Sequence, residues 1–235
     1  MSIKADQFSA FKVMSFDVVG TLIDFERGML AYLRQSGAAS GSVSDDQILD
    51  AYRASRTATK TLKFPDDLER AYKDLVRDVG LKDMAALARG FRDSAEFWPA
   101  FPDSAAALQR LAARYRLVAM TNAQRWAFEH FSRTLGHPFW DSVTVDDALC
   151  EKPNPLFFGF TRGRISRSGF HQHETLHVAQ SQYHDIGVAK SLGYQTCWIE
   201  RRRGLSGFGG TIAVDSLTTP DFHFSTLAEL AEKAG

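Results

Sequence analysis

The sequence predicts an α/β protein: a doubly wound parallel sheet with a helical block inserted after its first strand. Three observations lead there. Short apolar runs at Phe11–Phe16, Tyr115–Met120, Thr175–Ala179 and Tyr194–Glu200 alternate with stretches of helical apolar spacing, the pattern that right-handed crossovers turn into a parallel sheet. The first of these runs stops at an acid, and the next two lead into Thr121-Asn122 and Gln180, as expected where loops converge at the carboxyl edge of a sheet. Residues 23–98, by contrast, carry helical patterns and no convincing strand.

Phe11–Phe16 is short enough for a buried parallel strand, and Asp17 follows it directly, with Gly20 and Thr21 beyond. Taken alone, an Asp in that setting is equally a turn cap or a functional carboxylate. Helical spacing resumes from Phe25 to about Leu33, then a Gly/Ser-rich linker intervenes from Ser36 to Ser44. Ser44 reads as an N-cap with Gln47 at the capping-box position, opening a helix through Arg56. Asp66–Val79 and Leu81–Phe97 continue the helical block. After the turn at Trp98–Asp103 come a helix at Ser104–Arg114, the strand ending at Thr121-Asn122, a helix at Trp126–Leu135 and a strand around Asp141–Val145. Lys152-Pro-Asn-Pro155 leads into a helix near Leu156–Arg162, and Ile186–Leu192 follows the strand Thr175–Ala179. A basic, Gly-rich loop, Arg201–Gly210, precedes a final short strand, Phe222–Phe224, and a helix at Ser225–Lys233.

Composition narrows the function classes. With 235 residues, 44% of them hydrophobic, the chain can bury a substantial core. Lys plus Arg and Asp plus Glu balance at 28 each, so no net field favours nucleic acid or an anionic membrane, and an anionic small molecule is the better partner. The N-terminus lacks the basic and apolar regions of a signal peptide, and no stretch reaches membrane-spanning length, so a cytoplasmic protein is expected. Cys150 and Cys197 read as reduced packing residues. Whether two copies pair as a homodimer is left open.

Polar groups gather at four places: Asp17 with Thr21, Thr121 with Asn122, Lys152, and Gln180-Ser-Gln-Tyr-His-Asp185. In this order, and over nearly the whole chain, they resemble the four motifs of the haloacid dehalogenase (HAD) superfamily, whose core is a Rossmann-like sheet. The resemblance implies a catalytic core of residues 1–22 and 99–235 under a helical cap of residues 23–98. It implies Asp17 as nucleophile, Thr21, Lys152 and Asp185 as its catalytic partners, and Thr121 and Asn122 as substrate-binding residues. It also places Val18, Val19, Gln180, Ser181 and Gln182 beside the substrate, with Arg53 the favoured cap arginine and Arg56 the other candidate. A lysine between two buried carboxylates is expected to keep the nucleophile ionised.

The departures from that pattern are informative. Phosphatases of the superfamily carry a second Asp where this chain has Val19, to protonate a departing alkoxide, help worth roughly 10²–10⁴-fold. Metal-dependent members carry an Asp where Gln180 stands, and a neutral amide is a weaker ligand for magnesium. The branch similar to 2-haloacid dehalogenases, including azetidine-2-carboxylate hydrolase, also lacks the second Asp. Trp98-Pro-Ala-Phe-Pro-Asp103, Lys152-Pro-Asn-Pro155, Tyr183-His-Asp185 and the Trp198-Ile-Glu-Arg-Arg loop resemble the azetidine-type enzymes in particular. The expectation is hydrolysis of a small 2-substituted carboxylic acid through an aspartyl ester, without metal or other cofactor. A magnesium-dependent phosphatase is one alternative, and a catalytically silent binding protein of the same fold is another. His184 is expected to be structural, because consecutive loop side chains seldom both face a site. His171, His173 and His177 are read as solvated positions rather than metal ligands.

Overall fold

The structure is a computed structural model that describes residues 5–57 and 62–235. Among these the chain alternates strands and helices around one six-stranded sheet. Strand β1 (Val13–Phe16) is followed by helices α1 (Phe25–Gln35), α2 (Asp45–Ser55), α3 (Leu68–Val79) and α4 (Ala85–Asp93). Then come α5 (Ser104–Ala112), β2 (Arg116–Met120), α6 (Arg125–Thr134), β3 (Asp141–Val143), α7 (Val145–Ala148) and α8 (Pro155–Arg167). The chain closes with β4 (Thr175–Ala179), α9 (Gly187–Ser191), β5 (Gln195–Ile199), β6 (Phe222–Phe224) and α10 (Leu227–Ala234).

All pairings are parallel, in the order β3-β2-β1-β4-β5-β6. The chain winds outward from β1 through β2 and β3, then returns to the other side of β1 for β4, β5 and β6. The order therefore reverses between β1 and β4, where a doubly wound sheet opens a crevice at the strands' carboxyl ends. Every residue of β1 and of β4 is buried, because both faces of these central strands are covered.

Helices α1 to α4 fill the connection between β1 and β2. Its two ends run side by side: Ile23 bridges Ala100, and Asp24 N donates to the Pro99 carbonyl at 2.8 Å. The capping box opens α2 as the sequence indicates, with Ser44 Oγ accepting from Gln47 N at 3.2 Å and Gln47 Oε1 accepting from Ser44 N at 2.8 Å. Gln124 N donates to the Phe64 carbonyl at 2.7 Å and Lys63 pairs with Asp146 at 2.8 Å, so the block is tied to the sheet's carboxyl edge.

Several boundaries differ from the sequence expectation, each for a local reason. The helix expected at Leu81–Phe97 starts only at Ala85 and becomes a 3₁₀ turn at Ser94–Phe97, since Lys82 N is drawn into a bond with the Ala38 carbonyl at 3.0 Å. The strand around Asp141–Val145 stops at Val143, because Thr144 caps α7 by a capping box with Asp147. Gln182–Ile186 forms a π-helical turn, with α9 following it, in place of a helix opening at Ile186. Among the described residues no helix is long and apolar enough to cross a membrane, and both cysteines are free.

Candidate active site

Asp17 leaves β1 at the switch point, its own N–H extending the ladder to the Val178 carbonyl at 3.0 Å. Gly20 turns the chain there with φ +91, a left-handed value that a side chain would resist, and a Cβ would meet Gln180 and Phe25 at 3.3 Å. The turn brings Thr21 back beneath the carboxylate: Thr21 Oγ1 donates to Asp17 Oδ2 at 2.6 Å and accepts from Gln180 N at 2.9 Å. One hydroxyl thus fixes the Asp17 rotamer and joins the end of β1 to the end of β4.

Lys152 arrives from the loop before α8 and is 2% exposed. Its placement depends on Asn122, whose amide accepts from Lys152 N at 2.7 Å and donates to the Lys152 carbonyl at 2.9 Å. The ammonium donates to Asp17 Oδ1 at 2.9 Å, Asp185 Oδ1 at 2.6 Å and the Met120 carbonyl at 2.8 Å. These three bonds use all its protons.

One cation is therefore shared between two buried carboxylates, and they do not share it equally. Burial works against the Asp185 charge, but Lys152 and a hydrogen bond from His177 outweigh it and hold this carboxyl at about 2. Asp17 goes the other way: burial raises its pKa, with Asp185 adding to the rise, and Lys152 and Thr21 only partly oppose them. Lys152 lowers the Asp17 pKa, the direction expected of it, but does not cancel burial, and Asp185 holds the ammonium more closely. Burial also penalises the Lys152 ammonium, yet the two carboxylates more than offset it and its pKa rises.

Asp17, Lys152 and Asp185 open onto a cavity of about 80 Å³, several times what one water needs. Thr121, Asn122, Val19, Gln180 and Ser181 also line it, as expected, while Phe25, Tyr52, Phe64 and Ile212 make its apolar wall. The loop after β5 supplies Gly210, Thr211 and Ile212, so its far end lies against the cleft while residues 203–208 are exposed. Glu26 holds it there, accepting from Gly210 N at 2.8 Å and pairing with Arg202 at 2.5 Å. A Cβ on Gly210 would come within 2.7 Å of the Phe25 ring, so only glycine fits this approach.

Five sequence expectations need revision. Arg53 does not line the cavity: its guanidinium is spent on the Gly209 carbonyl and on Asp50. Arg56, one helical turn further on, lines it and stacks near Tyr52 and Phe64, and its Nη1 is buried without a hydrogen-bond partner among the described residues. Val18 is wholly buried in the core, and Gln182 faces a neighbouring cavity, bonded to the Thr218 backbone. His184 does line the site beside Asp185, because the π-helical turn widens the backbone and lets consecutive residues share the cavity. His177 is fully buried rather than solvated, and it hydrogen-bonds Asp185 at 3.0 Å; His171 and His173 are exposed and stack on each other. The register that places His177 under Asp185 is a tertiary fact with no local signature.

Comparison with known proteins agrees with this architecture. The chain is 35% identical over 129 residues to haloacetate dehalogenase H-2 of Moraxella sp. (strain B), covering 52% of this chain and 51% of that enzyme, so it spans about half the length of that curated relative. L-2-haloacid dehalogenase from Xanthobacter autotrophicus with chloropropionic acid covalently bound superposes with a TM-score of 0.73 at 18% identity, over 94% of this chain and 97% of that one. The magnesium-bound HAD-hydrolase YfnB from Bacillus subtilis gives 0.76 at 19% identity, over 94% and 97%. At these identities the two structures speak for the fold. The model of the haloacid dehalogenase-like hydrolases matches residues 11–193, and with the sheet and its edge so arranged the chain belongs to that hydrolase family.

Proposed function

We propose that this chain hydrolyses a small 2-haloacid through a covalent ester on Asp17, working beneath a cap formed by residues 23–98. The observation that carries the reading is the company the carboxylate keeps. Lys152 sits 2.9 Å from Asp17, while Val19, two residues on, presents an apolar side chain to the cavity where a proton donor would be needed for an alkoxide. Halide leaves carbon without a proton, so the site suits it. The Moraxella relative, a haloacetate dehalogenase, and the Xanthobacter neighbour with chloropropionic acid covalently bound support the same chemistry.

Asp17 attacks the carbon beside the substrate carboxylate, its oxygen forming the new bond as halide departs. Arg56 offers the anion a buried guanidinium whose Nη1 makes no hydrogen bond among the described residues and lies 4.0 Å from Asp67 Oδ2, and Thr121 and Asn122 border the same space. Asp185 then serves the second step. Its Oδ1 is occupied by Lys152 and His177, and its buried Oδ2 has no partner among the described residues. A water at Oδ2 gives up a proton and attacks the ester carbonyl. The acyl–oxygen bond breaks, the leaving alkoxide takes back the proton that Asp185 received from the water, and Asp17, left as the carboxylic acid, releases its proton to solvent and is restored as a carboxylate. The sum is haloacid plus water giving hydroxy acid, halide and a proton.

The phosphatase alternative needs magnesium, and these side chains do not fit it. Asp17 and Asp185 are already bridged by Lys152, the Gln180 amide is engaged with the Thr211 hydroxyl at 3.3 and 3.4 Å, and Val19 has no side-chain donor. A dication would sit against a fixed ammonium with few carboxylate oxygens to itself.

Single turnover of 2-chloropropionate in heavy-oxygen water is the decisive experiment. Unlabelled hydroxy acid and a labelled Asp17 peptide are expected, because the product oxygen comes from the carboxylate. Label in the first-turnover product would show direct attack by water, and phosphate release from small phosphate esters with no halide release would overturn the assignment.

A further inference from the structure

His177 stands out in the fold as a wholly buried imidazole beneath the site, on a strand otherwise made of Thr, Leu, Val and Ala. It pairs in register with Ser15 of β1, so the two side chains share one face of the sheet, and Asp17, two residues beyond Ser15, lies on that face at the strand's end. Ser15 Oγ meets His177 Nδ1 at 3.0 Å, and His177 Nε2 meets Asp185 Oδ1 at 3.0 Å. Phe158 packs edge-on against the ring from α8, with centroids 5.4 Å apart. The directions of these bonds follow from their ends. An ionised carboxylate only accepts, so Nε2 carries the proton that faces Asp185, and the Ser15 hydroxyl, able to donate or accept, meets Nδ1. Both ring nitrogens are satisfied, as burial requires.

We propose that the chain Ser15–His177–Asp185 aims the general base of ester hydrolysis, making His177 a positioning residue for the second chemical step and not the first. The inference rests on the hydrolytic reading above. Lys152 alone would leave Asp185 free to pivot about one bond, offering either oxygen to the cavity. A second donor at 3.0 Å, itself braced by Ser15, fixes which oxygen is used and leaves Oδ2, buried and without a partner among the described residues, as the oxygen that can take a water's proton. Ester formation needs nothing from that oxygen. Removing the brace should therefore slow water attack while leaving halide displacement intact, since misplacing a catalytic group by about 1 Å can cost on the order of 10²-fold.

The test uses the whole enzyme and 2-chloropropionate. In His177→Leu, the first equivalent of halide should appear within about threefold of the wild-type rate, followed by steady turnover slowed on the order of 10–100-fold. The ester should then accumulate as a mass increase on the Asp17 peptide. His177→Gln, which restores a donor near Nε2, should recover most of the loss, and Ser15→Ala should show a weaker version of the same split. A halide burst slowed in step with steady turnover, or wild-type turnover without ester build-up in all three variants, would overturn the proposal. If His177→Leu fails to fold, His177→Gln and Ser15→Ala decide the matter by the same burst measurement. Absence of halide release from the wild type would instead count against the hydrolytic reading itself.

Discussion

Replacing Lys152 by Met keeps a stem in the buried site and removes the cation between Asp17 and Asp185. At the 2.9 Å separation of Lys152 Nζ from Asp17 Oδ1, an ion pair at an effective dielectric of about 20 interacts by about 6 kcal/mol. Relaxation and entering water should return about half, leaving about 3 kcal/mol of lost support for the ionised form, so the Asp17 pKa rises further in the variant. Only the carboxylate attacks carbon, so the rate of the halide burst rises with pH through the Asp17 pKa. Its acid limb should move up in the variant, with the rate below that limb falling on the order of 10²-fold. Rapid-quench halide measurements across the pH range in which the folded protein persists, on wild type and Lys152→Met, read this directly. An acid limb at the same pH in both proteins, with a uniform loss at every pH, would refute the electrostatic argument and make Lys152 a spacer.

Exhaustive chelation should leave 2-haloacid turnover unchanged, and added magnesium should not raise it, as halide release with and without chelator will show. Arg56→Ala should raise KM for a 2-haloacid at least tenfold through loss of a buried charged donor worth about 1.5–3 kcal/mol, whereas Arg53→Ala should change the halide burst by less than about threefold. Asp185 stays ionised down to about 2 against an ordinary 3.8, so its contribution to stability is present above 3.8 and is lost as pH falls toward 2. By linkage Asp185→Asn should lose roughly 2 kcal/mol at neutral pH, measured by denaturant unfolding, with the deficit closing in acid. Asp17, with its pKa raised, has the opposite sign: its contribution is lost as pH rises through that pKa, so Asp17→Asn should be more stable than wild type near neutrality while losing the burst.

How much of this was legible in the sequence depends on the range of the forces involved. The central strands were readable because β1 and β4 are buried on both faces, which leaves continuous apolar runs. Ser44 and Gln47 announced α2 because a capping box is a local bond pattern. The missed boundaries were decided at long range, as where Lys82 bonds to Ala38. The site divides in the same way. Asp17 and Gln180 stand next to strand ends and could be placed by counting. Arg53 and Arg56 lie a single turn apart on the same helical stretch, so nothing local distinguishes them; the β5–β6 loop does, by engaging Arg53 through Gly209 and leaving Arg56 to the cavity. His177 and His184 were misread because their roles depend on strand register and on a π-helical turn.

Charge counting shows why the helical insert matters to the chemistry and is more than a cover. The sheet's own edge supplies two carboxylates, Asp17 and Asp185, against the single ammonium of Lys152. That arrangement carries net negative charge into a mostly apolar cavity, where burial raises the Asp17 pKa and the neighbouring Asp185 carboxylate adds to the rise. An anionic substrate entering such a space would add to the repulsion. Arg56 comes from the chain just beyond α2 and brings a second cation to the lining, its Nη1 4.0 Å from the Asp67 carboxylate. With it the lining holds two cations beside its two carboxylates, and the substrate's charge has a donor to meet. On this argument the core alone can position a nucleophile but not receive an acid, and a chain lacking residues 23–98 should fail at binding before it fails at chemistry.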